Sequence, residues 1–146
     1  MKADRDDTRA LLPEQCFAFM ASVPIGRVVY TDQALPAVMP MNFVLDRDMV
    51  TIHTGSGSAL SAAIRNAVVA FQTDDFDPVT MTGWSVTITG RARLVDDPRE
   101  AAHLMRLPLR PWVHAMNGQY IRIPCWNVTG QRLGAVGNAA ARDKAG

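Results

Sequence analysis

Apolar residues occupy every second position along most of this chain, which is the pattern expected of half-buried β-strands. The longest alternation covers residues 83–95, and Gly90 in its middle predicts a bend or bulge. The apolar face of this strand comprises Trp84, Val86, Ile88, Ala92 and Leu94. Further strands are predicted at residues 26–31, 35–45, 49–54, 67–73 and 120–128. Tight turns at residues 32–34 and 46–48 join the first three of these into an antiparallel meander.

Helical signals interrupt the strand pattern at three places. Pro13 begins a helix over residues 13–20, and Asp97 caps a helix over residues 98–106. Ser58 is the predicted N-cap of a helix over residues 59–65. Residues 74–78 are predicted to form an acidic loop. About six strands and three short helices predict a mainly β (α+β) fold, a barrel with helical plugs.

The composition predicts one domain with a substantial core, because the chain has 146 residues and is 48% hydrophobic. We expect a disordered segment over residues 1–10, the domain over residues 11–133, and a flexible tail over residues 134–146. A net charge of +1 gives no argument for nucleic-acid binding, and no apolar run is long enough to span a membrane. The charged N-terminus lacks the pattern of a secretion signal, and Cys16 and Cys125 are predicted to be buried free thiols. These features together predict a cytoplasmic protein.

A Gly/Ser loop between a predicted strand and a predicted helix is the first candidate site. Thr54-Gly55-Ser56-Gly57-Ser58 places hydroxyl and amide groups where a phosphate is easily bound. It is not a Walker A loop, because no Lys follows and the spacing differs. On local features alone, an ordinary strand-to-helix connection with a serine cap is the commoner explanation.

Other polar residues allow two interpretations each. Ser85 lies on the polar face of a strand, where its hydroxyl meets either a ligand or water; the surrounding Gly-Trp-Ser-Val is not a nucleophile elbow. Asn42 interrupts a strand that otherwise looks buried, so its amide needs either a planar ligand or a neighbouring backbone. His53 is either a ligand contact or a partly exposed sheet residue. The three histidines, His53, His103 and His114, show no metal-binding spacing.

The order of several short segments resembles one protein family. A Gly-Arg-Val strand precedes Pro-x-Val-x-Pro-x-Asn-Phe, Thr-Gly-x-Gly-Ser and Ala-Val-Val-Ala-Phe. Gly-Trp-Ser-Val-x-Ile-x-Gly-x-Ala follows, then Tyr-x-Arg-Ile and Thr-Gly-x-Arg-Leu. Together they resemble the FMN-binding split-barrel proteins, the pyridoxamine 5'-phosphate oxidase-like superfamily. The resemblance covers residues 12–133 and implies a six-stranded antiparallel split β-barrel.

The resemblance also implies a homodimer with FMN at the subunit interface and a small-molecule substrate. The backbone of residues 38–42 would flank the flavin ring, while Thr54 and Ser58 would hold the phosphate beside His53. Ser85 would contact the pyrimidine side of the ring, and residues 130–132 would come from the partner subunit. The implied cofactor-binding residues are Met39, Pro40, Met41, Asn42, His53, Thr54, Gly57, Ser58, Trp84, Ser85, Gln131 and Arg132.

Two departures from the family pattern weaken the predicted phosphate site. Ala59 stands where the family usually has Lys, and Gln131 stands where it usually has the first of two arginines. Each lost cation removes a charge-assisted hydrogen bond, so binding weakens by about 100-fold unless another arginine substitutes.

The sequence therefore supports two hypotheses. The first is an FMN-dependent oxidoreductase whose chemistry belongs to the flavin and whose catalytic side chains cannot be named. The second is a non-catalytic dimeric binding module with weakened flavin affinity, or one that takes haem or a deazaflavin. Exposed apolar residues also predict a homodimer independently of the resemblance. These are Leu107, Leu109, Trp112 and Met116.

Overall fold

The computed structural model describes residues 8–55, 58–109 and 118–134, and this part of the chain is mainly β-structure. The strands are β1 (Thr8–Ala10), β2 (Ile25–Asp32), β3 (Leu35–Asn42), β4 (Val44–Asp46), β5 (Met49–Gly55), β6 (Val68–Asp77), β7 (Thr82–Arg91), β8 (Arg93–Leu94), β9 (Gly118–Pro124) and β10 (Asn127–Leu133). The helices are α1 (Pro13–Ala21), α2 (Ala59–Ile64) and α3 (Pro98–Leu104). Five residues named above, Ser56, Gly57, Trp112, His114 and Met116, lie outside the described residues, as do residues 1–7 and 135–146.

The strands form two antiparallel sheets that enclose the core. Sheet A has the order β1-β10-β7-β6-β2-β3, and sheet B has the order β4-β5-β9-β8. The mainly β class with antiparallel pairing and a few short helices is therefore confirmed. The three predicted helices are present, and two of them begin at the predicted caps, Ser58 and Asp97.

Three predicted strands are each divided in two because the chain passes from one sheet to the other. The divisions fall at Phe43, at Ala92 and after Pro124. Phe43 and Ala92 are buried, and the ring of Phe43 packs edge-on against Phe71 at 4.9 Å. The predicted meander is thus divided at Phe43: β3 pairs with β2 in sheet A, and β4 pairs with β5 in sheet B. These three divisions turn six predicted strands into nine, and β1, which was not predicted, is the tenth described strand.

Gly90 lies where β7 of sheet A closely approaches the end of β9 in sheet B. A Cβ atom at this position would overlap the backbone carbonyl oxygen of Pro124. A backbone carbonyl cannot rotate away as a side chain can, so this close approach requires glycine. The predicted bend near Gly90 corresponds to the break between β7 and β8 two residues later.

Two boundaries differ from the expectation. Residues 74–78 were expected to form a loop, but β6 continues to Asp77 and pairs with β7 along its whole length. A run of acidic residues is typical of a loop. The same residues also suit a strand whose side chains face solvent at the end of a hairpin. At the N-terminus, β1 pairs with β10, so the sheet begins three residues before the predicted boundary at residue 11.

The core lies between the inner faces of the two sheets and under α1 and α2. Its largest fully buried side chains include Met20, Ile52, Ile64, Phe71, Ile88 and Ile123. Cys16 is buried as predicted, whereas Cys125 is only half-buried, and both are free thiols. Burial raises the pKa of Cys125 to about 11. No helix in the described ranges is long and apolar enough to cross a membrane.

Candidate functional site

A pair of hydroxyl groups lies where β5 gives way to α2. The Oγ1 atom of Thr54 is 3.2 Å from the Oγ atom of Ser58. Ser58 also caps α2, because its Oγ atom accepts a hydrogen bond from the amide of Ser61 at 3.0 Å. The hydroxyl of Ser61 in turn donates to Gln119 on β9. This turn therefore presents side-chain hydroxyls, whereas the amides of Ser58 and Ser61 bond within their own chain.

His53 lies on the opposite face of sheet B from Thr54. Successive side chains of a strand alternate between faces, so the two neighbours in sequence cannot meet one ligand group from the same side. The imidazole ring packs edge-on against Tyr120, with ring centroids 4.8 Å apart, and covers Gly118. Burial lowers the pKa of His53, which favours the neutral form of the ring.

Strand β3 is an edge strand of sheet A. Its prolines determine which of the outward-facing positions carry an N–H group. The amide of Phe43 donates to the carbonyl of Pro24 at 3.4 Å, which fixes the alternation of the β2–β3 ladder. Amides at residues 35, 37, 39 and 41 then face β2. The outward positions are Pro36, Val38, Pro40 and Asn42, and only two of these carry an N–H group. Val38 and Asn42 are therefore the outward backbone donors of this edge.

The predicted ring-contact residues of β3 divide between two faces. Met39 and Met41 lie opposite Val28 and Gly26 on the inner side, and Met41 packs against the core. Pro40 and Asn42 lie on the outer side. The Asn42 side chain is half-buried and makes no hydrogen bond to any described residue, so its amide is available to a ligand or to water.

Ser85 lies on the outer face of sheet A, directly opposite Asp74 on one side and Gln131 on the other. Its hydroxyl accepts a hydrogen bond from the Nε2 atom of Gln72 at 3.2 Å. Next to it is a depression of about 330 Å³. The residues around this depression are Ala10, Ser85, Thr87, Thr129, Gly130 and Gln131.

Trp84 and Arg132 point to the inner side of sheet A. Trp84 is 7% exposed and stacks on Phe19 with ring centroids 5.0 Å apart. The guanidinium carbon of Arg132 lies 5.4 Å from the centroid of the same Phe19 ring. The structure thus places Trp84 in the core, and it separates Arg132 from Gln131 by the thickness of the sheet.

The predicted site residues therefore form three groups within one chain. One group is the β3 edge, a second is the hydroxyl pair at Thr54 and Ser58, and the third is Ser85 with Gln131. Three inter-strand spacings separate β3 from β7 in sheet A, which is roughly 14 Å. Thr54 belongs to the other sheet. A single chain does not bring all three groups to one point.

A buried charge network on sheet B was not anticipated from the sequence. The guanidinium group of Arg122 is almost fully buried and donates to Asp46 at 2.6 Å and to Glu100 at 3.0 Å. Glu100 also receives a two-point contact from Arg93 at 2.8 and 2.7 Å, which, with Arg122, lowers the pKa of Glu100 to about 2. His103, expected on a helix surface, lies 3.0 Å from Asp46. The acidic and basic side chains of the network pair with one another, and these contacts hold α3 against sheet B.

The described residues contain no cluster of three or more His, Cys, Asp or Glu side chains that could hold a metal ion.

A sequence profile of the pyridoxamine 5'-phosphate oxidase family matches residues 13–132. The chain belongs to this family. A Mycobacterium tuberculosis member of uncharacterised function, Rv0080, is 39% identical over 138 residues, which cover 91% of this chain and 85% of the relative.

Solved structures support the same assignment. An FAD-binding protein from Mycobacterium smegmatis superposes with a TM-score of 0.75 at 32% identity, covering 85% of this chain and 96% of the other. A protein of unknown function from Corynebacterium diphtheriae superposes with a TM-score of 0.76 at 30% identity. The match covers 88% of this chain and 99% of the other. The split β-barrel implied by the short sequence motifs is confirmed.

Proposed function

We propose that this member of the pyridoxamine 5'-phosphate oxidase family is a flavin-dependent oxidoreductase. The observation that carries the proposal is the likeness, over almost the whole domain, to the Mycobacterium smegmatis protein described as FAD-binding. A bound flavin would supply the hydride or electron transfer, and the protein would supply binding and orientation. The substrate is a small molecule whose identity the residues do not specify.

The three groups of residues support one placement of the flavin. The outward amides of Val38 and Asn42 suit the acceptor atoms of the ring, and the hydroxyls of Thr54 and Ser58 suit the phosphate. Ser85 and Gln131 lie too far along the sheet to join the β3 edge within one chain. We therefore place the site at the seam of a homodimer, where a second subunit brings its own Ser85 and Gln131 to the ring.

The charge at the phosphate group decides between two forms of the flavin. FMN ends in a phosphomonoester that carries about two negative charges at pH 7. FAD distributes the same charge over two phosphates. Within the described residues, no Lys or Arg is hydrogen-bonded to Thr54 or Ser58, and Ala59 replaces the usual family Lys. FMN is the cofactor implied by the motifs, and this lack of a cation favours FAD as the second candidate.

A titration of flavin-free protein tests the proposal. Riboflavin, FMN and FAD are added in turn, and the quenching of flavin fluorescence gives each dissociation constant. Thr54→Val should weaken the binding of FMN or FAD about three- to tenfold without affecting riboflavin, because only the phosphate loses a partner. Thr51→Val is the matched control on the same strand, since the buried Thr51 hydroxyl has no hydrogen-bond partner in the described part of the chain. Wild-type protein that binds none of the three flavins would refute the proposal.

A further inference from the structure

Four side chains form a continuous hydrogen-bonded chain across the outer face of sheet A. They are Arg27, Asp74, Gln72 and Ser85, contributed by β2, β6 and β7. An Nη1 atom of Arg27 donates to the Oε1 atom of Gln72 at 3.1 Å and approaches Asp74 at 3.4 Å. The Nε2 atom of Gln72 donates to Asp74 at 2.7 Å and to Ser85 at 3.2 Å.

The two charged residues determine which way the amide of Gln72 is turned. A guanidinium group can only donate hydrogen bonds, and a carboxylate can only accept them. The amide oxygen must therefore face Arg27, and the amide nitrogen must face Asp74. Rotating the amide by 180° would place donor against donor and acceptor against acceptor, so a single orientation is stable.

This orientation also fixes the role of the Ser85 hydroxyl. Both hydrogens of the Gln72 nitrogen are used, one toward Asp74 and one toward Ser85. Ser85 must accept from Gln72, so its own hydrogen is left to donate elsewhere. Asp74 lies directly opposite Ser85 in the sheet, yet its carboxylate bonds Gln72 and Arg27 instead. Among the described residues, Ser85 has no acceptor for its hydrogen.

We propose that Gln72 is a positioning residue that holds the Ser85 hydroxyl as a hydrogen-bond donor toward a ligand acceptor in the depression beside Ser85 and Gln131. The inference rests on the proposed function, in which that acceptor is a carbonyl oxygen or ring nitrogen of the flavin pyrimidine. Arg27 and Asp74 act through Gln72 by fixing its amide. A donor at the pyrimidine favours the reduced ring, which carries more negative charge, so the chain raises the reduction potential of the bound flavin.

A double-mutant cycle tests whether Gln72 acts through Ser85. The four proteins are the wild type, Gln72→Met, Ser85→Ala and the double variant, and Thr89→Val is a control on the same outer face. For each, the dissociation constant of FMN and FAD and the reduction potential of the bound flavin are measured. Circular dichroism and thermal unfolding check that every variant folds.

We expect each single variant to weaken flavin binding about three- to tenfold and to shift the potential to more negative values. The double variant should match Ser85→Ala, because Gln72 has no effect once the hydroxyl is gone. Thr89→Val should match the wild type. Fully additive effects, or a Gln72→Met protein with wild-type affinity and potential, would overturn the inference while flavin binding by the wild type keeps the proposed function. A wild type that binds no flavin overturns both.

Discussion

Glu100 joins α3 to sheet B through its negative charge. Its carboxylate accepts hydrogen bonds from two guanidinium groups, those of Arg93 and Arg122, and the Arg122 group is buried. A buried guanidinium that loses its carboxylate is costly because the charge is then left uncompensated. The ionised state of Glu100 is therefore part of the folded structure.

The low pKa of Glu100 predicts a specific loss of stability in acid. Its pKa falls from 4.5 to about 2 on folding, first through the hydrogen bond from Arg93. The stabilisation is fully present above pH 4.5 and disappears as the pH falls toward 2. We expect Glu100→Gln to lower the free energy of unfolding by about 2 kcal/mol at pH 7 and to flatten its pH dependence between 4.5 and 2.

Urea denaturation at a series of pH values measures this effect. Glu14→Gln is the control, because Glu14 is exposed on α1 and makes no ion pair with a described residue. If Glu100→Gln keeps the wild-type pH dependence, the charge network does not stabilise the fold as described.

Local sequence predicts some of the site residues and not others, and the reason is the distance along the chain. Thr54 and Ser58 are four residues apart at the junction of a strand and a capped helix, so their proximity follows from local structure. The pairing of Ser85 with Gln131 depends on the register between β7 and β10, which no short motif reveals. The core position of Trp84 follows from the alternation of β7, whereas the resemblance alone had assigned it to the cofactor.

At the scale of elements, β3 combines an exposed apolar surface with an edge that resists pairing. Leu35, Val38 and Met39 are 68%, 59% and 40% exposed. Pro36 and Pro40 remove two of the outward amides, which hinders the addition of another strand. Leu107 and Leu109, by contrast, are half-buried, so β3 offers more exposed apolar surface than those two residues do.

This surface predicts where a dimer would form. If β3 lies in the subunit interface, Val38→Glu should convert the dimer to a monomer by burying a charge without a partner. Val79→Glu is the matched control, because Val79 is 89% exposed on the turn between β6 and β7.

Size-exclusion chromatography with light scattering provides the measurement, and a dimer has twice the 16.0 kDa mass of one chain. A monomeric wild type, with or without added flavin, would contradict the proposed dimer. If the Val38→Glu protein is still a dimer, the interface lies elsewhere than at β3.

The division of strands between two sheets is the feature of the elements that the sequence pattern does not predict. Alternation identifies residues 83–95 as one strand because the buried face continues through Ala92. The sheet changes at that residue without a break in the polarity pattern. Only the three-dimensional contacts, such as that between Gly90 and Pro124, distinguish the two segments.

At the scale of the whole molecule, a split β-barrel of the pyridoxamine 5'-phosphate oxidase family presents three separated groups of candidate site residues. The fold was predictable because many weak motifs occur in one order over the whole domain. The proposed site was not, because it requires a second subunit and a ligand, neither of which a motif within one chain can specify. Ala59 stands where the resemblance implies Lys, so the proposed cofactor is tested by comparing FMN with FAD.

The visible spectrum of the protein as purified, with mass spectrometry of any compound released on denaturation, tests the central claim most directly. We predict yellow protein with flavin absorption bands, releasing about one FMN or FAD per subunit, and bleaching when a chemical reductant is added. Colourless protein that remains colourless after incubation with FMN and FAD would contradict the account.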